Sequence, residues 1–129
     1  MSKFQFLRKA AKFKAEIPVI LDKMANNAVH QFKVTNFDSA GFVDGGVKKW
    51  SPNKVQDGRQ QLVKTGRGRE SIRTLVKTFY SRTVGTDVPY MGYHNEGTKH
   101  LPQRKIIGNS KELEMKNGKV IIEHLKRIV

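Results

Sequence analysis

Apolar residues return at helical spacing between Ile17 and Val34, and this periodicity limits the fold more than any other feature of the chain. Val19 or Ile20, Met24, Ala28 and Phe32 make one series, and Leu21, Ala25 and Val29 make a second beside it. Together they predict a helix over residues 17–34 with a broad apolar face, which must be covered by a second layer. Residues 3–15 are also helix-permissive, with Phe4, Leu7 and Ala11 at i, i+3 and i+7 and lysines between. Pro18 separates the two stretches. Proline suits a first helical turn, so a second helix starting near Ile17 is one reading and a single helix kinked at Pro18 is the other.

The helical pattern then stops. Residues 36–61 hold Gly41, Gly45, Gly46, Pro52 and Gly58 and read as a long loop with one short turn. Thr65-Gly66 reads as a turn. Ser71–Phe79 has the β-branched and aromatic content of a strand, Arg82–Thr86 reads as its partner, and Asp87–Pro89 ends it. Tyr90–Asn95 fits one helical turn stopped by Gly97. Residues 98–103 form a loop, and Lys105–Ile107 a short strand. Ser110 is a suitable N-cap for a last helix carrying Leu113, Val120 or Ile121, and Leu125, with Asn117-Gly118 as a point where it breaks. The expected fold is α+β: one antiparallel sheet packed by a long N-terminal helix and a C-terminal helix. A chain of 129 residues makes one small domain. Residues 1–35 form its helical N-terminal segment, 36–61 its loop, and 62–129 a β-rich body with the C-terminal helix.

Charge is the next constraint. The net charge is +14, and residues 47–82 carry ten Lys/Arg against Asp57 and Glu70, so +8, while each flank carries +3. Lys48, Lys49, Lys54, Lys64, Arg67, Arg69 and Arg73 are the candidate partner-facing or DNA-facing basic patch, because such a cluster suits a polyanion or an acidic protein. The chain has no cysteine, which excludes disulfides and thiolate metal sites. No run of 18 apolar residues is present, so no membrane span is expected. The basic N-terminus lacks a following apolar segment and cleavage site, so a secretory signal is not expected.

Catalytic and metal motifs fail on spacing. His94, Glu96 and His100 offer the right ligand types, but H-x-E-x-x-x-H does not place two imidazoles on one helical face as H-E-x-x-H does. Ser51–Lys54 matches S-x-x-K and Lys64–Gly66 matches K-T-G, yet the nine residues between them leave no room for the enzyme that uses both. Gly66-x-Gly68 lacks a third glycine and is followed by a strand pattern, not a helix N-terminus that would hold phosphate. No enzyme activity, metal or cofactor is expected.

The remaining motifs form an ordered set. It comprises Trp50, Leu62, Thr65, Gly66, Arg69, Ser71, Ile72, Val84, Gly85, Tyr90, His94, Gly97, Pro102, Arg104, Gly108 and Ser110. In that order they resemble the virion morphogenesis, or tail-completion, proteins of Mu-like and related phages and prophages. That pattern reads Trp, then L-x-x-TG-x-L-R-x-SI, V-G, Y-A-x-x-H-x-x-G, P-x-R-x-F-hydrophobic-G-x-S, and a final helix. The resemblance covers about two thirds of the chain. Where the pattern has Leu, Ala and an aromatic, this sequence has Gly68, Met91 and Ile106.

The resemblance implies a non-catalytic structural protein of the phage virion, acting in tail completion or head–tail joining. It implies a homo-oligomeric ring contacting other tail or neck proteins, made in the host bacterial cytoplasm and then carried in the virion. Non-specific DNA contact by the basic surface is a further expectation, and a stand-alone basic nucleic-acid-binding protein is the competing class. Trp50 is expected to anchor the 36–61 loop. Gly66, Tyr90, His94, Gly97, Pro102 and Arg104 are expected to be structural with it. In the corner from Tyr90 to Arg104, Tyr90 packs inward and His94 and Glu96 bond the backbone. Gly97 takes a conformation closed to side chains, and Arg104 ties down carbonyls or a carboxylate such as Glu96.

Overall fold

The computed structural model describes residues 2–52, 66–99 and 101–128. Helix α1 spans Lys3–His30 without interruption. Ser2 and Gln5 close a capping box: the Ser2 hydroxyl accepts from the Gln5 amide at 3.1 Å, and the Gln5 side chain accepts from the Ser2 amide at 2.9 Å. The two-helix reading is therefore corrected to one helix that runs through Pro18. A proline removes one intrahelical hydrogen bond, but tertiary bonds hold both sides of it. Arg82 donates to the Pro18 carbonyl at 3.2 Å and to the Asp22 carboxylate at 2.8 Å.

Past His30 the helix widens into a five-residue π-helical stretch, Gln31–Thr35, and ends in the single turn α2, Asn36–Ser39. Ala40, in the left-handed region at φ 49°, reverses the chain. Strand β1, Gly41–Val43, pairs antiparallel with β2, Val47–Lys49. The expected loop of 36–61 is thus a hairpin up to Lys49, and Asp44-Gly45-Gly46 is its turn. Gly45 sits at φ +67°, which glycine adopts without strain. Residues 53–65 lie outside the described residues, including Lys54, Lys64 and the Thr65 part of the expected turn.

Helix α3 is the short Arg67–Glu70. Strands β3, Arg73–Lys77, and β4, Arg82–Gly85, form a second antiparallel pair, with an irregularity between Thr74 and Val76. The two pairs are separate small sheets. The expected α+β fold, antiparallel strands with a long N-terminal and a C-terminal helix, stands, and its strands form two small pairs in place of one sheet. Helix α4 spans Pro89–Glu96 and α5 spans Lys111–Ile128. Lys105–Ile107 is not a strand. The amides of Ile106 and Ile107 donate to the Asn95 side chain at 2.7 and 2.9 Å, so they have no strand neighbour. Asn117-Gly118 does not break α5: Asn27 donates to Asn117 at 3.2 Å across the helix pair, and a glycine inside a helix costs only about 1 kcal/mol.

One core joins all these parts. Phe32, Phe37, Trp50, Ile72, Val88, Met91, Ile106 and Leu113 are buried together, with Ala28, Ala40, Val84 and Ile107 packed against them. Each large side chain there contributes about 1.5–3 kcal/mol by leaving water. The long helices run antiparallel: Asn27 meets Asn117, and buried His124 contacts Lys23 at 3.0 Å and Glu16 at 2.8 Å. Ser110 caps α5 as its sequence implies, accepting from the Leu113 amide at 3.2 Å. The β1–β2 turn completes that cap, since Asp44 accepts from the Lys111 amide and Glu112 accepts from the Gly45 amide.

Asn36 is the most enclosed polar group, fully buried. Its side chain donates to the Ile106 carbonyl at 2.7 Å and accepts from the Val43 amide at 3.1 Å, linking helix, hairpin and the 101–110 segment. Asn36→Ala leaves both backbone groups unpaired. It is expected to lower stability by about 2–4 kcal/mol, read from urea unfolding monitored at Trp50.

Candidate functional site

The residues singled out by sequence fall into two places. The first is a corner built on the end of α4. Pro89 starts that helix and Gly97 ends it, at φ 78°. A side chain at Gly97 would sit 3.0–3.2 Å from the Gln103 amide nitrogen, Cα and Cβ, in a backbone conformation that L residues rarely adopt. Thr98 and Leu101 bond each other's backbone, at 2.9 and 3.3 Å, and the Arg104 amide bonds the His94 carbonyl at 2.7 Å. Arg104 is buried, and its guanidinium donates to the Ser51 and Pro52 carbonyls, both at 3.1 Å. Its partners are carbonyls, not Glu96, which is exposed. Trp50 lies one residue before Ser51. Its indole donates to the Lys105 carbonyl at 2.9 Å, and its ring meets Phe37 edge-on at 5.4 Å. Trp50 is therefore anchored on its own domain. Pro102 is exposed at the turn.

Two expectations for the corner are corrected. Tyr90 does not pack inward: it is exposed, and its ring lies T-shaped to His94 at 6.4 Å. The inward residue is Met91, one position later on the helix, where the side chain points into the core. His94 does not bond the backbone through its ring either. Its Nδ1 is buried without a hydrogen-bond partner. Burial, and then the nearby Arg104 charge, hold its pKa below the ordinary 6.5.

Gly68 belongs to the same packing. It is buried on α3, and a Cβ there would lie 2.5 Å from the Met91 sulfur and 3.2 Å from the Tyr90 ring. Gly66, in the left-handed region, begins α3, and Ser71 ends it by donating to the Gly68 carbonyl at 2.6 Å. The first motif, from Gly66 onward, and the Y-A-x-x-H-x-x-G motif therefore touch through Gly68 and Met91.

The second place is the charged surface, where the structure rearranges what the sequence suggests. Among its described residues, most cations of the expected basic patch are bonded within the chain. Arg69 donates to the Lys33 carbonyl at 2.8 Å, approaches Asp38 at 3.5 Å and lies 5.3 Å above the Phe37 ring. Arg73 makes two hydrogen bonds to Asp87, holding that carboxyl below the usual carboxylate range. Lys49 donates to the Ser39 carbonyl at 2.7 Å, and Lys48 lies 3.9 Å from Asp44. Arg67 is carried on α3. Five described cations of the expected patch are thus spread over two hairpins and a short helix, and most are bonded within the chain.

Cations without acidic partners lie elsewhere. Residues 3–15 of α1 carry Lys3, Arg8, Lys9, Lys12 and Lys14 and no acidic residue. Among the described residues none of the five is ion-paired. The same turns expose Phe4, Phe6 and Leu7 at 80%, 61% and 52%. This arm projects beyond the end of the helix pair. The signal for it is in the sequence: helical spacing with cations, aromatics and no acid. Sequence reasoning read the segment as a helix and not as a surface.

Among the described residues no group of three His, Asp or Glu side chains is placed to hold a metal ion, and no helix is long and apolar enough to cross a membrane. No family model, curated protein or solved structure matches the chain.

Two outcomes follow from this geometry. The His94 pKa is lower in the fold than the 6.5 of an unfolded histidine, so its contribution is complete above 6.5 and is lost as pH falls below it. Thermal melts at about pH 7.5 and about pH 5.5 should show a larger loss for the wild type than for His94→Phe. Gly68→Leu and Met91→Ala should each destabilise, the first by overpacking and the second by about 2–4 kcal/mol through a cavity. The double variant should recover much of the sum, and simple additivity in a double-mutant cycle would show that the two sites do not share one space.

Proposed function

We propose that this chain is a non-catalytic assembly subunit of a tailed phage or prophage, acting in virion morphogenesis at tail completion or head–tail joining. The carrying observation is that Trp50 and Arg104, motif residues remote in sequence, each bond the chain neighbours of the other. Trp50 reaches the Lys105 carbonyl, and Arg104 reaches the Ser51 and Pro52 carbonyls. A pattern of chance matches has no reason to close into one corner. The departures also agree with it. Where the pattern has Leu and Ala, this chain has Gly68 and Met91, and those two positions pack on each other. A large residue lost on one side is matched by a large residue gained on the other, the exchange that cores tolerate best.

In this reading the corner is scaffold, and contact with other tail or neck proteins is made by surfaces outside it. The subunit works as copies in a homo-oligomeric ring, assembled in the bacterial cytoplasm and retained in the virion. The α1 arm carries the electrostatic part. Its five unpaired cations steer the subunit to an anionic surface, and its exposed Phe4, Phe6 and Leu7 add apolar contact that a purely electrostatic DNA interaction does not use. An acidic protein surface is therefore favoured over DNA as its partner.

The test is complementation in an extract lacking the wild-type protein. A variant with Lys9, Lys12 and Lys14 changed to Glu is expected to fold and to lose most tail- or head-completing activity. Lys48→Glu, on the hairpin, should retain it. Full activity of the arm variant would remove the arm from the mechanism. Sequence-independent binding of the wild type to a DNA duplex, falling steeply with salt and lost in the arm variant, would instead favour the nucleic-acid-binding class.

A further inference from the structure

The seam between α1 and α5 holds a buried histidine with a charged group on each side. His124, on the inward face of α5, is 2% exposed. Its Nδ1 lies 2.8 Å from the Glu16 carboxylate, and its Nε2 lies 3.0 Å from the Lys23 Nζ. Glu16 and Lys23 stand seven residues apart on α1, two turns along one face, so the imidazole bridges them.

A carboxylate only accepts hydrogen bonds, and an ammonium only donates them. The ring meets both partners by donating from Nδ1 and accepting at Nε2. The two contacts therefore fix a neutral ring in one tautomer. A second proton would go on Nε2. It would set N–H against N–H and place two positive charges 3.0 Å apart. Lys23 is exposed, so its head can turn into water, whereas Glu16 then faces a full opposite charge. A proton and the Lys23 ammonium thus compete for the same nitrogen.

We propose that His124 is a proton-operated clamp between the two long helices. With the ring neutral, Lys23 and Glu16 of α1 are both tied to α5. When the ring takes a proton, Lys23 is released and the tie passes to Glu16 alone. The other charges nearby are engaged elsewhere or face solvent. Asp22, beside Lys23 on α1, is taken by Arg82 at 2.8 Å and Lys77 at 3.6 Å. Lys12, one turn before Glu16, and Glu123, Lys126 and Arg127 on α5 are exposed, where screening is strongest. Glu16 directly follows the acid-free residues 3–15. Acid therefore adds one positive charge, and frees a second, at the base of the arm. The clamp belongs to the free chain and does not rest on the virion role.

Ring-nitrogen NMR shifts of His124 and urea unfolding test it together. At about pH 7.5 the ring should carry its single proton on Nδ1. The acid condition is the pH at which the shifts show both nitrogens protonated in the folded protein. Lys23→Met should raise the unfolding constant by about threefold or more at neutral pH and leave it unchanged in the acid condition. Glu16→Gln should cost more in the acid condition than at neutral pH. The side-chain amide of His124→Gln can meet both neighbours but takes no proton, so in that background the effect of Lys23→Met should be the same under both conditions. Where His124→Gln fails to fold, the ring shifts and the two α1 variants decide the matter. A proton on Nε2 at neutral pH, a ring that stays singly protonated until the protein unfolds, or an equal effect of Lys23→Met under both conditions in the otherwise native chain would each overturn the proposal.

Discussion

The segment from 101 to 110 has no secondary structure of its own, yet it crosses the core, and the remainder of the fold depends on how its backbone is satisfied. Buried amides and carbonyls without partners would cost about 1–3 kcal/mol each. Here they are met by side chains from distant parts of the chain. Asn95 accepts from the Ile106 and Ile107 amides, Asn36 donates to the Ile106 carbonyl, and Trp50 donates to the Lys105 carbonyl. Those bonds place Ile106 in the core and bring the first helix, the first hairpin and α4 to one point. The small size of the two sheets follows from this arrangement. Side chains take over the satisfaction of the central backbone that a larger sheet would otherwise provide.

The same economy governs charge. A chain with 25 cations and 11 anions cannot pair most of its positive groups. Its few acids are spent where an arginine braces the fold: Asp22 with Arg82, Asp38 with Arg69, Asp87 with Arg73. Arg82 is nearly buried, and its hydrogen bond draws the Asp22 pKa below the usual carboxylate range. These pairs lie in and around the segment that looks most basic on paper. Residues 3–15 of α1, by contrast, carry five cations and no acid. Net charge along a sequence is a poor guide to free charge on a surface, because the fold decides which cations find acids and carbonyls.

The exposed apolar groups sort in a similar way. Phe4, Phe6 and Leu7 share the arm with its cations, whereas Met115, Ile122 and Leu125 share α5 with charges of both signs. Residues 3–15 carry only basic charge beside their exposed apolar groups, while α5 carries five cations and three acids.

The sequence by itself determined the local features. The helical periods at both ends, the strand character of Arg73–Lys77 and Arg82–Gly85, the Ser110 cap and the need for glycine at position 97 all rest on interactions within a few residues. The first hairpin was read as loop, because its three-residue strands are too short to show a period. Tertiary structure alone decided the rest. Pro18 stays inside a helix because Arg82, 64 residues away, holds the turn around it. Lys105–Ile107 is irregular because Asn95 takes its amides, and Met91 turns inward in place of Tyr90 because Gly68 leaves it room. Arg69 and Arg73 become braces because Asp38 and Asp87 fold beside them. Each of these depends on a partner far along the chain, and periodicity and propensity carry no information about which distant residue will arrive.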